Sequence, residues 1–420
     1  MACKVIVYAL LAGLAFGRPQ TYPETAQGNP SGYPYTNPSS YDPLPSNPYN
    51  IDGGFIDWRT YKANGVNLGS WLEKERTHDP IWWSEVGGDS VIDEWSLCQL
   101  LGQRCGPIFE SRYASFLNYT TIDDLASVGV NTLRIPTTYA AWVEVPGSEL
   151  HSGYQVQFMD RIVSYAVKRY NMHIIIGLHS LPGGVNSLDI GEAFGHDGWF
   201  FNETNLIYSW QAVDRILDYI QASPLGLDKF SISPLNEASD TNLVGFGTAA
   251  GLTDKGAAWI ARYLAGVLDR IKAVNRGIPL IVQDCFKGTE FWAPYFAATD
   301  NVVISPHVYY FAAAGVYANY LTPAVCGQAQ FIATQTKFPN FVGEWSLQTR
   351  FNNKFDGREE VFNTQRYAWG EYLSGGTFWT AVSYATTAVD GEGTQREYWS
   401  YVDLIRQGVI KSEDSDVAYC

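Results

Sequence analysis

The stretch SPLNEASD, residues 233 to 240, closes an apolar run with an amide and a carboxyl side by side, Asn236 and Glu237. A second acid, Glu344, follows the apolar residues of NFVGEW (340 to 345). A strand tip that only had to turn would favour Gly, Asp or Pro, so Asn-Glu asks for a chemical reason. Two facing carboxyl groups can divide acid and base work. One protonates a leaving oxygen while the other attacks or activates water, as cleavage of a glycosidic acetal demands. A separation of about 5 to 5.5 Å gives a covalent intermediate and retention, and roughly 6.5 to 9.5 Å gives inversion. Other apolar runs end in residues that suit this task. Arg134 can keep a neighbouring carboxylate ionised, and Tyr309 can orient it. Asn236, His179 and His307 can bind sugar hydroxyls, and Trp379 can floor a sugar site.

The elements that must position these groups are short, β-branched-rich runs. They are GVNLG (65 to 69), NTLRIP (131 to 136), HIIIGLH (173 to 179), FSISPLNE (230 to 237), IPLIVQD (278 to 284), NVVISPHVYY (301 to 310), NFVGEW (340 to 345) and GTFWTA (376 to 381). Near-continuous apolar character is the mark of strands buried on both faces. Amphipathic segments at 155 to 170 and 253 to 274 have helical spacing. Eight strands with helices between them predict an α/β fold, a (β/α)8 TIM barrel formed as a single large domain. In such a barrel the strand C-termini share one face, which holds the active site. Glu237 on the fourth strand and Glu344 on the seventh then face each other across the mouth. One polar strand tip could be a cap. Six strands repeating the pattern argue for a site.

The rest of the chain bounds the setting. Residues 1–17 read as a signal peptide, with Lys4 ahead of the apolar run VIVYALLAGLAF and small residues around Ala15 to Gly17. That run is too short to span a bilayer, so the protein is expected to be secreted, extracellular or in a cell wall, with no membrane insertion. Residues 18–50 are rich in Pro, Tyr, Ser and Asn and nearly devoid of aliphatics, the composition of a disordered leader. The catalytic-type domain then spans 51–420. A net charge of −15 argues against nucleic acid as a partner. The 14 Trp and 27 Tyr suit a protein that stacks rings on sugar faces, although ordinary core packing accounts for many of them. Five cysteines would remain after signal removal, so one thiol is left over, and spacing alone does not give the connectivity. Asn118-Tyr-Thr and Asn202-Glu-Thr are glycosylation sequons that fit export.

With these residues in view, the chain resembles glycoside hydrolase family 5, and most of all its fungal exo-β-1,3-glucanase branch. GVNLGSWLEKE (65 to 75) resembles that branch's opening GVNLGGWLVLE, and DEWSLCQLLG (93 to 102) resembles its DEY-x-x-x-Q-x-LG segment. LRIP, LHSLPG, LNEA, HVYY, GEWS and FWT follow in family order, so the resemblance covers essentially residues 51 to 420. It implies Glu237 as acid/base, Glu344 as nucleophile, retention, and no metal or cofactor. It implies a substrate shell of Arg134, His179, Asn236, His307, Tyr309 and Trp379, with Glu75 holding the non-reducing glucose. It also implies a Cys326–Cys420 disulfide. The expected partner is a β-glucan or related oligosaccharide, and the expected state is a monomer. The departures fall in substrate-contacting loops. Leu188 stands where the branch has a clamp Phe, Ala312 where it has a second clamp aromatic, and Ala381-Val382 where it has Trp-Lys. Losing two rings should reshape the leaving-group site. Rival specificities on the same machinery are β-1,6-glucan, β-1,4-glucan, mannan or glycolipid. A non-catalytic glucan-binding wall protein is the rival of a different class.

Overall fold

A computed structural model describes residues 54 to 312, 316 to 412 and 417 to 420. The signal segment and the leader expected at 1 to 50 lie outside the described residues. Eight strands are present: β1 (Ala63–Asn67), β2 (Thr132–Thr137), β3 (His173–Leu178), β4 (Phe230–Ser233), β5 (Leu280–Gln283), β6 (Val302–Ser305), β7 (Val342–Trp345) and β8 (Gly375–Phe378). All neighbours pair in parallel, in the order β6-β5-β4-β3-β2-β1-β8-β7. Backbone bonds from Phe341 N to Ile304 O (2.9 Å) and from Val308 N to Glu344 O (2.9 Å) join β6 to β7 and close the barrel. The expected (β/α)8 architecture is therefore observed.

The sequence dictates this arrangement through burial. β2 and β3 are buried along their whole length, as strands covered by helices outside and side chains inside must be. Ile175, Ile281, Val303 and Phe341 form a separate inner cluster with Trp58 and Ala63 at the end of the barrel away from the site. There Ser374 Oγ donates to Trp58 O at 2.5 Å, so the segment before β1 is tied beneath the barrel. The two helices foreseen from periodicity are Gln155–Tyr170 and Asp254–Val274. The second starts one residue late because Thr253 is its N-cap, accepting from Gly256 N.

Several strands stop earlier than their apolar runs. β4 ends at Ser233 and β6 at Ser305, each directly before a proline. Proline has no N–H to donate, so the regular ladder is interrupted there, and past Pro306 only an isolated bridge, His307 to Glu344, continues towards β7. Asn236, Glu237, His307 and Tyr309 therefore lie on the loops that follow, and His179 and Trp379 lie one residue past β3 and β8. Only Arg134 and Glu344 of the expected site sit inside strands.

Between β1 and β2 the chain inserts helices at Pro80–Gly87, Glu94–Leu101, Cys105–Phe116 and Tyr119–Ser127. A Cys98–Cys105 disulfide joins two of them, and Cys326–Cys420 ties the helix Leu321–Ala333 to the chain end. Cys285 is the leftover thiol and is buried. Both sequon asparagines are exposed N-caps, Asn118 accepting from Thr121 N and Asn202 from Asn205 N. Among the described residues no helix is long and apolar enough to cross a membrane.

The Cys326–Cys420 bridge closes a loop of 94 residues. Replacing Cys420 with Ser should cost about 2–4 kcal/mol by freeing that loop in the unfolded chain. Urea unfolding measures it, and an unchanged midpoint would show that the bridge contributes nothing.

Candidate active site

Arg134 rises from β2 and is almost fully buried, at 1% exposure. Its Nη1 donates to Glu344 Oε1 at 2.7 Å and to Asn67 Oδ1 at 2.9 Å, and its Nη2 donates to Asn236 Oδ1 at 2.8 Å. One guanidinium thus gathers groups from β1, β7 and the loop after β4. Glu344 also accepts from Tyr309 OH at 2.8 Å. Tyr309 in turn stacks on Trp399, with ring centroids 5.5 Å apart and planes inclined by 13°.

Glu237 has a different environment. Its Oε1 shares a hydrogen bond with His307 Nδ1 at 2.7 Å, and that nitrogen lies 3.4 Å from Glu344 Oε2. Carboxylate oxygens of Glu237 and Glu344 come within 4.8 Å of one another. Burial pushes the Glu237 carboxyl up to about 7, against the opposing pull of Arg134. Burial likewise holds His307 down at about 4 and His179 well below the usual imidazole range, so both rings are neutral at mildly acidic pH. The Glu237 backbone is left-handed, at φ +45°, a conformation that a non-glycine residue adopts only when its surroundings enforce it. The Gln283 side chain accepts from both Glu237 N (3.1 Å) and Cys285 N (2.8 Å), and Asn186 Nδ2 donates to Glu237 O at 3.1 Å. These amides hold the turn that aims the carboxyl into the mouth.

Trp379 stacks against His179 with ring centroids 5.4 Å apart. Its Nε1 donates to His78 Nε2 at 2.9 Å, and that same nitrogen lies 3.7 Å from Glu75 Oε2. A Cβ on Gly69 would meet the Trp379 ring at 2.5 Å, so glycine is what lets the indole lie against the chain. Glu75 is pushed well up by burial and then by the charges of Asp189, Glu344 and Glu237. Several polar atoms around the mouth are buried with no hydrogen-bond partner among the described residues: Asn236 Nδ2, His179 Nδ1, His307 Nε2 and Glu75 Oε1. Buried polar groups are normally paired, and unpaired donors and acceptors converging on a cleft suit the hydroxyls of a sugar. Glu237, His307 and Glu344 are also of metal-ligating types. The 2.7 Å between His307 and Glu237 is, however, a hydrogen bond, shorter than the spacing of neighbouring ligands on an ion at about 2 Å bond lengths.

All nine residues singled out from the sequence lie at this mouth. His78, Asn67, Asn186, Gln283 and Trp399 brace them and were not foreseen. Asn67 lies within the GVNLGSWLEKE motif, Asn186 three residues past LHSLPG, and Gln283 in a strand run, so nearness to those runs was the available signal. Of the departures, Ala381 is fully buried and Val382 nearly so, while Ala312 is exposed. Phe311 lies 5.1 Å from both the Tyr309 and Trp399 rings.

The barrel, the paired carboxyls and the unpaired polar groups at its mouth suit a glycoside hydrolase. The chain is 44% identical to a rutinosidase from Aspergillus niger of known structure, with a TM-score of 0.83, covering 85% of this chain and 100% of that one. It is 27% identical over 327 residues to a probable glucan 1,3-beta-glucosidase A from Aspergillus niger, covering 76% of this chain and 72% of that protein. A broad-specificity endoglucanase from Clostridium longisporum shares the fold at 15% identity and a TM-score of 0.54, covering 84% of this chain and 96% of that one. No protein-family model matches the chain. The chain belongs to glycoside hydrolase family 5.

Arg134→Met should destabilise the protein by about 3–5 kcal/mol, because it leaves Glu344 and Asn236 buried without their donor. A urea titration tests this, and a loss below about 1 kcal/mol would show that the guanidinium is not the anchor described here. Gly69→Ala should shift the Trp379 indole, which quenching and blue-shift of tryptophan emission by added substrate would report as weakened binding. Unchanged binding would place the indole outside the sugar site.

Proposed function

We propose that the protein cleaves β-glucosidic bonds with retention, with Glu237 as acid/base and Glu344 as nucleophile. The observation that carries this reading is the approach of the two carboxylates to within 4.8 Å in unlike surroundings. That spacing leaves no room for a water between carboxylate and sugar, the requirement of inversion. Glu237, raised by burial, keeps its proton for the leaving oxygen. Glu344, aligned by Arg134 and Tyr309, attacks the anomeric carbon, and the glycosidic C–O bond breaks as the new ester bond forms. Glu237, now ionised, takes a proton from water, which displaces Glu344 and releases the sugar with its β configuration. Another sugar hydroxyl can replace that water, so transglycosylation belongs to the same proposal. Arg134, Asn236, His179, His307, Tyr309, Glu75 and Trp379 hold the glucose unit.

For the substrate we propose a glycoside of a rhamnosyl-(1→6)-glucose type disaccharide, a rutinoside, cleaved between the glucose and its aglycone. The full-length relation to a rutinosidase supports this, as does the lack of a ring at Leu188 and Ala312, where a second glucose would be clamped. The second reading, exo-hydrolysis of β-1,3-glucan, draws on the curated relatives' name and on Phe311, one residue from the clamp position. We propose further that the protein is exported, on the strength of the signal-like N-terminus and the sequons.

Incubation with rutin and, separately, with a linear β-1,3-glucan discriminates the readings. Release of intact disaccharide from rutin supports the first; glucose from the glucan alone contradicts it. Glu344→Ala should abolish turnover, and Glu237→Ala should lower it about 10²–10⁴-fold for a poor leaving group. Wild-type rates in either variant would refute the assignment. Because the carboxyl of Glu237 sits at about 7 and acts in its protonated form, activity should be full below that value and fall as pH rises through it. With a dinitrophenyl glycoside, whose leaving group needs no proton, Glu237→Ala should lose this alkaline limb. A limb that persists there would assign it to another group.

A further inference from the structure

Where the related branch reads Val-Leu-Glu, this chain reads Glu73-Lys74-Glu75. Two buried positions have thus become charged, and they are accounted for differently. Lys74 is paired: its Nζ donates to Asp79 Oδ2 at 2.9 Å and to Ser70 O at 3.0 Å, and Arg112 grips the same aspartate. Glu73 is not. It is 3% exposed, and its Oε2 has no hydrogen-bond partner among the described residues. A carboxylate oxygen of Glu73, one of Glu75 and a ring nitrogen of His179 lie within 4.8 Å of one another. His179 Nδ1 and Glu75 Oε1 are also unpartnered. Glu75 and His179 thus link Glu73 to the proposed sugar site. The catalytic carboxylates act on Glu75, whereas the neighbouring acids acting on Glu73 are Glu75, Glu94 and Asp189.

We infer that Glu73 is a specificity-determining residue, which with Glu75 and half-buried Asp189 receives the hydroxyls of a second sugar attached to the non-reducing side of the bound glucose. The inference rests on the disaccharide reading proposed above and adds the residue that enforces it. A valine at this position offers nothing to a hydroxyl. A carboxyl held neutral offers one donor and one acceptor, the complement of adjacent sugar hydroxyls. Burial, followed by the charges of Glu75, Glu94 and Asp189, pushes the Glu73 carboxyl well up, which favours that neutral form. Recognition shifts accordingly: the leaving-group side lacks rings at Leu188 and Ala312, and the opposite side gains an acid.

The test compares kcat/KM for p-nitrophenyl β-rutinoside and p-nitrophenyl β-glucoside in the wild type, Glu73→Val and Glu73→Gln. Glu73→Val should lower the rutinoside-to-glucoside ratio about tenfold or more, because a lost hydroxyl partner penalises only the substrate that carries the hydroxyl. Glu73→Gln, which keeps a donor and an acceptor, should stay within about threefold of the wild-type ratio. The thermal midpoint of Glu73→Val should equal or exceed that of the wild type, since an unpaired buried acid has been removed. An unchanged ratio in Glu73→Val overturns the inference. So does a parallel fall on both substrates with a lowered midpoint, which marks a structural role. A wild type that cleaves the glucoside but not the rutinoside sinks the disaccharide reading and this inference with it. A wild type that cleaves both, with a ratio unmoved by Glu73→Val, sinks the role of Glu73 alone.

Discussion

The guanidinium of Arg134 is the interaction around which the mouth of the barrel is organised. A buried cation must be surrounded by acceptors or it destabilises the fold. Arg134 finds them in Asn67, Asn236 and Glu344, which come from three separate parts of the barrel. Asn67 and Arg134 are register partners on β1 and β2, so the first contact follows from strand pairing. The other two cross the barrel. Satisfying one charge therefore fixes the position of the proposed nucleophile and of the Asn236 amide proposed to bind sugar, and it does so before any substrate arrives. Such preorganisation is what electrostatic catalysis requires.

The second acid is governed by what it lacks. No cation touches Glu237; its side-chain partner is His307, which burial keeps neutral at mildly acidic pH. Glu237 can thus keep its proton a few ångströms from a carboxyl bonded to a guanidinium, a difference of surroundings that suits an acid beside a nucleophile. The left-handed backbone at Glu237 is part of the same arrangement. Two side-chain amides, of Gln283 and Asn186, secure that turn, which offsets a strain on the order of 1–3 kcal/mol. Close packing elsewhere serves the same end. A Cβ on Gly343 would meet Ser305 Oγ at 2.2 Å, so glycine beside Glu344 lets β6 and β7 approach and brings His307 to the acids.

The barrel was legible because strands buried on both faces are written as β-branched runs, and the helices because their apolar spacing is regular. The chemical residues were legible because they cluster at the ends of those runs. Strand ends were not, since Pro234 and Pro306 interrupt the regular ladder inside runs that read as continuous strands. The bracing residues were hidden for a different reason. His78 acts on Trp379 across 301 positions, and nothing local distinguishes it from any other loop histidine. Gln283 reads as the polar end of a strand, and only the three-dimensional turn shows that it holds two backbone amides. Glu73 was not singled out, since a charge two residues from Glu75 in a loop carries no sign of its burial.

The central claim is that Glu344 forms a covalent bond to the sugar while Glu237 moves protons. Treatment with 2-deoxy-2-fluoro-β-glucosyl fluoride, which slows both steps but leaves with ease in the first, followed by peptic digestion and mass spectrometry, tests it directly. The account predicts one fluoroglucosyl adduct, located on Glu344 and released by an acceptor sugar with return of activity. An adduct on Glu237 or elsewhere, or turnover without any trapped ester, would contradict it.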